Sequence, residues 1–187
     1  MTKVALLGDS IRLVGYGTVV PKMLGEEYEV FQPADNCRFA KYTLRGLFDW
    51  ENELKGCDIV HWNNGLWDTV RNRPDSEPFS SPEEYLETIL RIAKYLKANH
   101  RVVIFATTTP VRPENPNNDN DRIAEYNALV VPELEKLGVI INDLNAVVSK
   151  DITGNIREDD LIHLTEKGIE ACAKQVVSFI KQAENML

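Results

Sequence analysis

Five short apolar runs, each followed by a stretch of helical periodicity, restrict this chain more than any other feature. They are Val4-Ala5-Leu6-Leu7, Tyr28-Glu29-Val30-Phe31, Asp58-Ile59-Val60-His61-Trp62, Arg101-Val102-Val103-Ile104-Phe105-Ala106 and Val139-Ile140-Ile141. Unbroken apolar runs suit strands buried on both faces, and strands that alternate with helices are joined by crossovers. The pattern predicts an α/β fold, a mostly parallel five-stranded sheet covered by helices on both sides. No repeat or low-complexity linker interrupts it, and 187 residues is the size of one domain, so a single domain over residues 1–187 is expected.

Local signals place the helices. Ser81-Pro82-Glu83-Glu84 reads as a capping box with proline at the first helical position, and Leu86, Ile89, Leu90, Ala93 and Leu96 supply the apolar stripe behind it. A helix is predicted from Tyr42 to about Leu54, with Leu44, Leu47, Phe48 and Leu54 facing inward. Another begins near Asp121, and Pro132 should kink or split it. Thr165 caps a last helix carrying Ile169, Cys172, Ala173, Val176, Val177 and Ile180. Residues 71–82, with Pro74, Pro78 and Pro82, read as an ordered surface excursion beside whatever Asn63 to Asp68 face. Residues 111–121 read as a second long loop on the same rim, and residues 151–160 as irregular.

Charge narrows the partners. Twenty-one basic against 29 acidic residues give −8, which argues against nucleic acid or an anionic membrane as the main partner. No apolar run approaches the roughly 18 residues of a membrane span, and no leader precedes the first strand, so a cytoplasmic location is expected. Cys37, Cys57 and Cys172 form no CxxC and no metal spacing, so neither a metal nor another cofactor is expected. Nothing in the sequence indicates an oligomeric state.

Polar residues gather where the strands end. Ser10 follows the first strand in Gly8-Asp9-Ser10, Asp35-Asn36-Cys37-Arg38-Phe39 follows the second, and Asn63-Asn64-Gly65-Leu66-Trp67-Asp68 follows the third. Thr107-Thr108-Thr109 follows the fourth, and Asp160-Leu161-Ile162-His163 precedes the last helix. In open α/β sheets ligands bind outside the carboxyl ends of the strands, so these groups should share one rim. A serine after a strand commonly does no more than cap a helix, but a hydroxyl, an imidazole and a carboxylate together are what serine hydrolysis requires. Asp9 is read as capping its own turn, because a carboxylate beside an attacking oxygen would repel the developing charge.

These residues resemble the SGNH hydrolases, also called GDSL-type lipases or acylhydrolases. Gly8-Asp9-Ser10 is similar to their first block, and Asp160-x-x-His163, followed by Leu164-Thr165 and a helix with Gly168, to their last. The resemblance runs from residue 4 to about residue 180 and implies a three-layer flavodoxin-like sandwich and metal-free hydrolysis of oxygen esters or thioesters. It makes Ser10 the nucleophile, His163 the base and Asp160 the orienting carboxylate.

The middle blocks depart from the family. Aligned over residues 36–43, the second-block glycine falls at Lys41, whose N–H would be one oxyanion donor. Aligned on Gly65 and Asp68, the third block becomes Gly65-Leu66-Trp67-Asp68, with Trp67 in the asparagine's slot. Asn63 is then the first choice for the side-chain donor and Asn64 the second. The layout His-x-Asn-x-Gly-Leu-Trp-Asp is similar to a branch associated with carbohydrate esters.

Arg12 and Arg38, just beyond polar strand ends, could bind substrate oxygens or pair with acidic side chains. Trp67 could stack on a sugar face or wall a pocket, whereas Trp62 and His61 are read as core, and His100 needs no role. The resulting expectation is a serine esterase removing a short acyl group, acetyl included, from a carbohydrate or small alcohol. The alternatives are a thioesterase or lipid acylhydrolase, and a catalytically impaired carbohydrate-binding member of the same fold. A nucleotide-binding flavodoxin-like protein is disfavoured by the lack of a glycine-rich phosphate loop after the first strand.

Overall fold

In the computed structural model, which describes residues 1–73 and 75–187, all five predicted strands are present. They are β1 (Thr2–Leu7), β2 (Tyr28–Phe31), β3 (Ile59–Asn63), β4 (Val102–Ala106) and β5 (Ile140–Asn142). All pair in parallel, in the order β2-β1-β3-β4-β5. That order reverses direction between β1 and β3, the point at which a flavodoxin-like sheet opens a crevice for ligands.

Alternate strand residues feed two cores because successive side chains point to opposite faces of a strand. Val4, Leu6, Ile59 and Ile104 pack under α1 (Val20–Leu24) and the long terminal helix (Glu166–Glu184). Ala5, Leu7, Val60, Trp62, Val103 and Phe105 pack on the other side with residues of α2 (Ala40–Asp49) and of the helices Pro82–Asn99 and Asn120–Lys136. The architecture is a three-layer α/β/α sandwich around a five-stranded parallel sheet.

The Ser81 capping box forms as expected, its hydroxyl accepting from Glu84 N–H while Glu84 reaches back to the Ser81 N–H. Thr165 likewise caps the terminal helix through Gly168 N–H. Three local expectations are corrected. The helix predicted over 42–54 is two pieces, α2 and α3 (Glu51–Leu54), and Phe48 is exposed. Trp50, where the two pieces meet, lies against Gly46, where an added Cβ would stand 2.4 Å from the indole ring, and the Phe48 ring centroid lies 5.7 Å from that of Tyr95. The helix Asn120–Lys136 runs through Pro132 unbroken, with Val130 and Leu134 buried on either side of it. A proline removes one donor from the ladder, and the apolar contacts flanking it hold the remainder of the helix in place. Residues 151–160 contain a short helix, Ile152–Asn155, started by Asp151, whose carboxylate accepts from Gly154 N–H. In the excursion over 71–82, the reading of Pro74 lies outside the described residues.

No described helix is long and apolar enough to cross a membrane.

Candidate active site

β1 ends beside β3 at the switch point, and the turn that follows it is tied from several sides. The Asp9 side chain accepts from Ile11 N–H at 2.9 Å and from Asn63 Nδ2 at 2.8 Å. Asn63 Oδ1 in turn accepts from the Tyr16 hydroxyl at 2.7 Å. Asp9 therefore caps its own turn, as expected, and burial pushes its carboxyl up against the opposing pull of Ile11 N–H, Asn63, Arg12 and His163.

Ser10 opens a single turn of π-helix, Ile11–Gly15, with helical backbone angles and no capping bond from its side chain. A role as helix cap is thereby removed: among the described residues, neither its hydroxyl nor its N–H is hydrogen-bonded within the chain. Single π turns occur disproportionately at functional sites.

Gly8 leaves no room for a side chain, since a Cβ there would stand 2.0 Å from Asn63 Oδ1 and 2.9 Å from Arg12 Cβ. Gly8→Ala is expected to destabilise the fold by about 1–3 kcal/mol, the range for overpacking a filled interior, and to lower the thermal midpoint by several degrees. A thermal melt followed by circular dichroism checks this.

The imidazole and its carboxylate are set by a strap before the terminal helix. Asp160 Oδ1 accepts from the N–H groups of Ile162 and His163 at 3.0 and 2.8 Å, and Oδ2 lies 2.9 Å from His163 Nδ1. Leu161 takes φ +66° to close this turn, a strained setting for a branched side chain, and its carbonyl is held by Arg112 N–H at 2.9 Å. Partial burial raises the Asp160 carboxyl, but the two N–H groups and the imidazole outweigh it and hold its pKa down at about 2. The carboxylate stays ionised across the neutral range and keeps the Nδ1 proton facing it. Arg157 Nε, 3.6 Å from Asp160 Oδ2, adds a cation behind the pair.

Ser10 and His163 line one cavity of about 450 Å³, together with Asn36, Trp67 and Asn118. The remaining wall is mostly apolar, formed by Phe39, Leu66, Val70, Phe79 and Ile162, with the amide of Asn72 among them. Sequence reasoning placed the Asn36 loop, residues 63–68 and the excursion after them at this rim without singling out Asn72, Phe79 or Asn118. An aromatic in a polar, proline-rich loop was the available signal for Phe79.

The other expected site residues fall in different places. Arg12 is buried and faces away from the cavity: its guanidinium donates to the carbonyls of Pro33, Gly8 and Asp35 at 2.8, 3.1 and 2.7 Å. The loop after β2 closes over it and supplies acceptors that a substrate would otherwise provide, so the substrate-binding expectation for Arg12 is corrected to a brace between two strand exits. Arg38 is solvent-facing, 3.9 Å from Asp35 and 4.8 Å above the Tyr42 ring. Its φ of +48° marks it, rather than Lys41, as the left-handed residue of this loop. Lys41 lies in the first turn of α2 and pairs with Glu84 at 3.3 Å, outside the cavity wall.

Asn63 and Asn64 are also absent from the wall. Asn63 spends its amide on Asp9 and Tyr16, and Asn64 Nδ2 donates to Arg38 O at 2.9 Å. Gly65, at φ +150°, makes the turn into α4 (Leu66–Thr69), and a Cβ there would stand 1.9 Å from Thr108 Oγ1. Trp67 is 41% exposed and lines the cavity, whereas Trp62 is fully buried. His61 is core as well: burial pushes its pKa down to about 3, and Nε2 lies 3.0 Å from Asn142 Nδ2.

Three amides do stand in the wall: Asn72, Asn118 and, two residues before Arg38, Asn36. Asn36 Oδ1 accepts from Arg38 N–H at 2.8 Å, which fixes the amide's orientation and leaves Nδ2 without an acceptor among the described residues. Behind the wall, burial pushes the Asp68 carboxyl up to about 7 although Ser80 and Ala40 both bond to it.

No protein-family model matches the chain, and no curated protein sequence does so either. Solved structures do. An acetyl xylan esterase, AlAXEase, superposes with a TM-score of 0.79 at 17% identity, over 95% of this chain and 99% of the other. A lipase/acylhydrolase from Enterococcus faecalis superposes at 0.77 with 20% identity, over 98% and 97% of the two chains. Axe2, an acetylxylan esterase from Geobacillus stearothermophilus, superposes at 0.76 with 16% identity, over 95% and 93%. At these identities the shared property is the fold: over nearly its whole length this chain has the architecture of these three proteins.

Proposed function

We propose that this chain is a serine esterase of the SGNH type, removing a short acyl group from a carbohydrate or small alcohol. The carrying observation is that Ser10, with an uncommitted hydroxyl, lines the same cavity as a His163 oriented by Asp160. In this reading His163 Nε2 accepts the Ser10 Oγ proton as Oγ adds to the acyl carbon. The same proton then passes to the leaving alcohol as the acyl-oxygen bond breaks. A water repeats the sequence on the acyl-enzyme, releasing the acid and restoring Ser10. Ser10 N–H and Asn36 Nδ2 are the oxyanion donors, since both lack partners among the described residues and both residues line the cavity.

The similarity in fold to two acetyl xylan esterases supports a carbohydrate alcohol. So does the wall itself, in which Trp67, Phe39 and Phe79 offer aromatic faces and Asn36 and Asn118 offer amides. The aliphatic part, Leu66, Val70 and Ile162, favours a second reading, a longer-chain acylhydrolase.

An active-site-directed phosphonate should label Ser10, and peptide mapping reads the site. Folded protein that takes no label returns the chain to the binding-module reading. Acetyl, butyryl and octanoyl esters, acetylated xylo-oligosaccharides and an acyl thioester then separate the substrate classes. A pocket gains or loses about 10–200-fold per methylene, so octanoyl or thioester turnover about a hundredfold above acetyl ester turnover would overturn the short-acyl reading.

A further inference from the structure

We infer that Asp68 is a positioning residue that holds the aromatic wall of the cavity together and thereby sets how tightly substrate is bound. Asp68 is 1% exposed and does not touch the cavity. Its carboxylate receives the Ala40 N–H, at 3.0 Å to one oxygen and 3.2 Å to the other, and the Ser80 hydroxyl at 2.8 Å. Its own carbonyl accepts the Ser80 N–H at 3.0 Å.

Each residue joined at this point follows directly on an aromatic side chain of the wall. Phe39 precedes Ala40, Trp67 precedes Asp68, and Phe79 precedes Ser80. The three segments belong to the loop after β2, to α4, and to the loop before the helix Pro82–Asn99. The Phe39 and Phe79 rings meet with centroids 4.7 Å apart, tilted by 43°. One residue thus ties down the chain beside both rings, at Ala40 N–H through its carboxylate and at Ser80 through both carboxylate and carbonyl, while its own backbone carries the third. Among the described residues no cation forms an ion pair with Asp68, so its place is kept by these donors and not by charge pairing.

The kinetic half of the proposal rests on the esterase reading; the geometric half does not. Asp68→Leu preserves bulk but strands the Ala40 N–H and the Ser80 hydroxyl. Asp68→Asn retains an oxygen to accept from Ala40 and an amide N–H to give to Ser80 Oγ. With an acetyl ester, Asp68→Leu is expected to raise KM by about tenfold or more and to change kcat by less than about threefold, the scale of a lost buried hydrogen-bonded joint. Asp68→Asn should return KM to within about threefold of wild type. Folded Asp68→Leu with wild-type KM, a loss confined to kcat, or no rescue by asparagine would each overturn the proposal. If the leucine variant does not fold, Ser80→Ala, which cuts one arm, decides: a raised KM supports the proposal and an unchanged one overturns it. Should the wild type hydrolyse no ester, the esterase reading falls separately. The nuclear Overhauser contact between the Phe39 and Phe79 rings then decides, its loss in Ser80→Ala supporting the joint and its persistence overturning it.

Discussion

Ser10→Ala is expected to lower kcat for ester hydrolysis on the order of a millionfold while leaving the fold intact. Among the described residues the hydroxyl makes no hydrogen bond, so its removal orphans no partner there and stability should stay within about 0.5 kcal/mol of wild type. Loss of turnover with an unchanged melting curve separates a nucleophile from a structural serine. Residual turnover within about tenfold of wild type in a folded variant would rule out covalent catalysis by Ser10.

Asp160→Asn should cost about 10⁴-fold in kcat, through the tautomer and not through lost packing. The asparagine carbonyl can replace Oδ1 and keep the N–H groups of Ile162 and His163. Its amide nitrogen would then replace Oδ2 and present a hydrogen to His163 Nδ1. The imidazole proton is driven to Nε2, the atom that has to accept from Ser10. Steady-state kinetics at neutral pH with a matched circular dichroism spectrum measure this. A loss below about tenfold would mean that another group orients His163.

The pair at the end of the chain was legible because its geometry is local. A carboxylate that bonds the N–H groups two and three residues ahead needs only the turn it sits in, and the same turn brings the imidazole to it. Ser10 was legible for a related reason, since a strand's end fixes where the next residue stands. The sheet order placed both where ligands collect.

Arg12 shows where such reasoning stops. A guanidinium beside a polar strand end is equally suited to a substrate or to carbonyls, and the choice depends on where residues 33–37, remote in sequence, come to lie. Asn63 is a similar case, for its amide was free to point at Ser10 until Asp9 and Tyr16 were placed on either side of it. Lys41 was read as an N–H donor by alignment alone; the fold puts it in the first turn of α2, off the cavity wall, and the positive φ of this loop falls at Arg38, which nothing in residues 36–43 marks in advance.

What the sequence determined alone was the alternation of strands and helices, the parallel sheet, and the two local turns that carry hydroxyl, carboxylate and imidazole. All of these follow from periodicity and from hydrogen bonds spanning only a few residues. The cavity was decided by tertiary structure, because Phe39, Trp67 and Phe79 are brought together by bonds between segments up to 40 residues apart, made through one buried carboxylate. A polar side chain can satisfy its hydrogen bonds in many ways, and only the packed fold selects one of them.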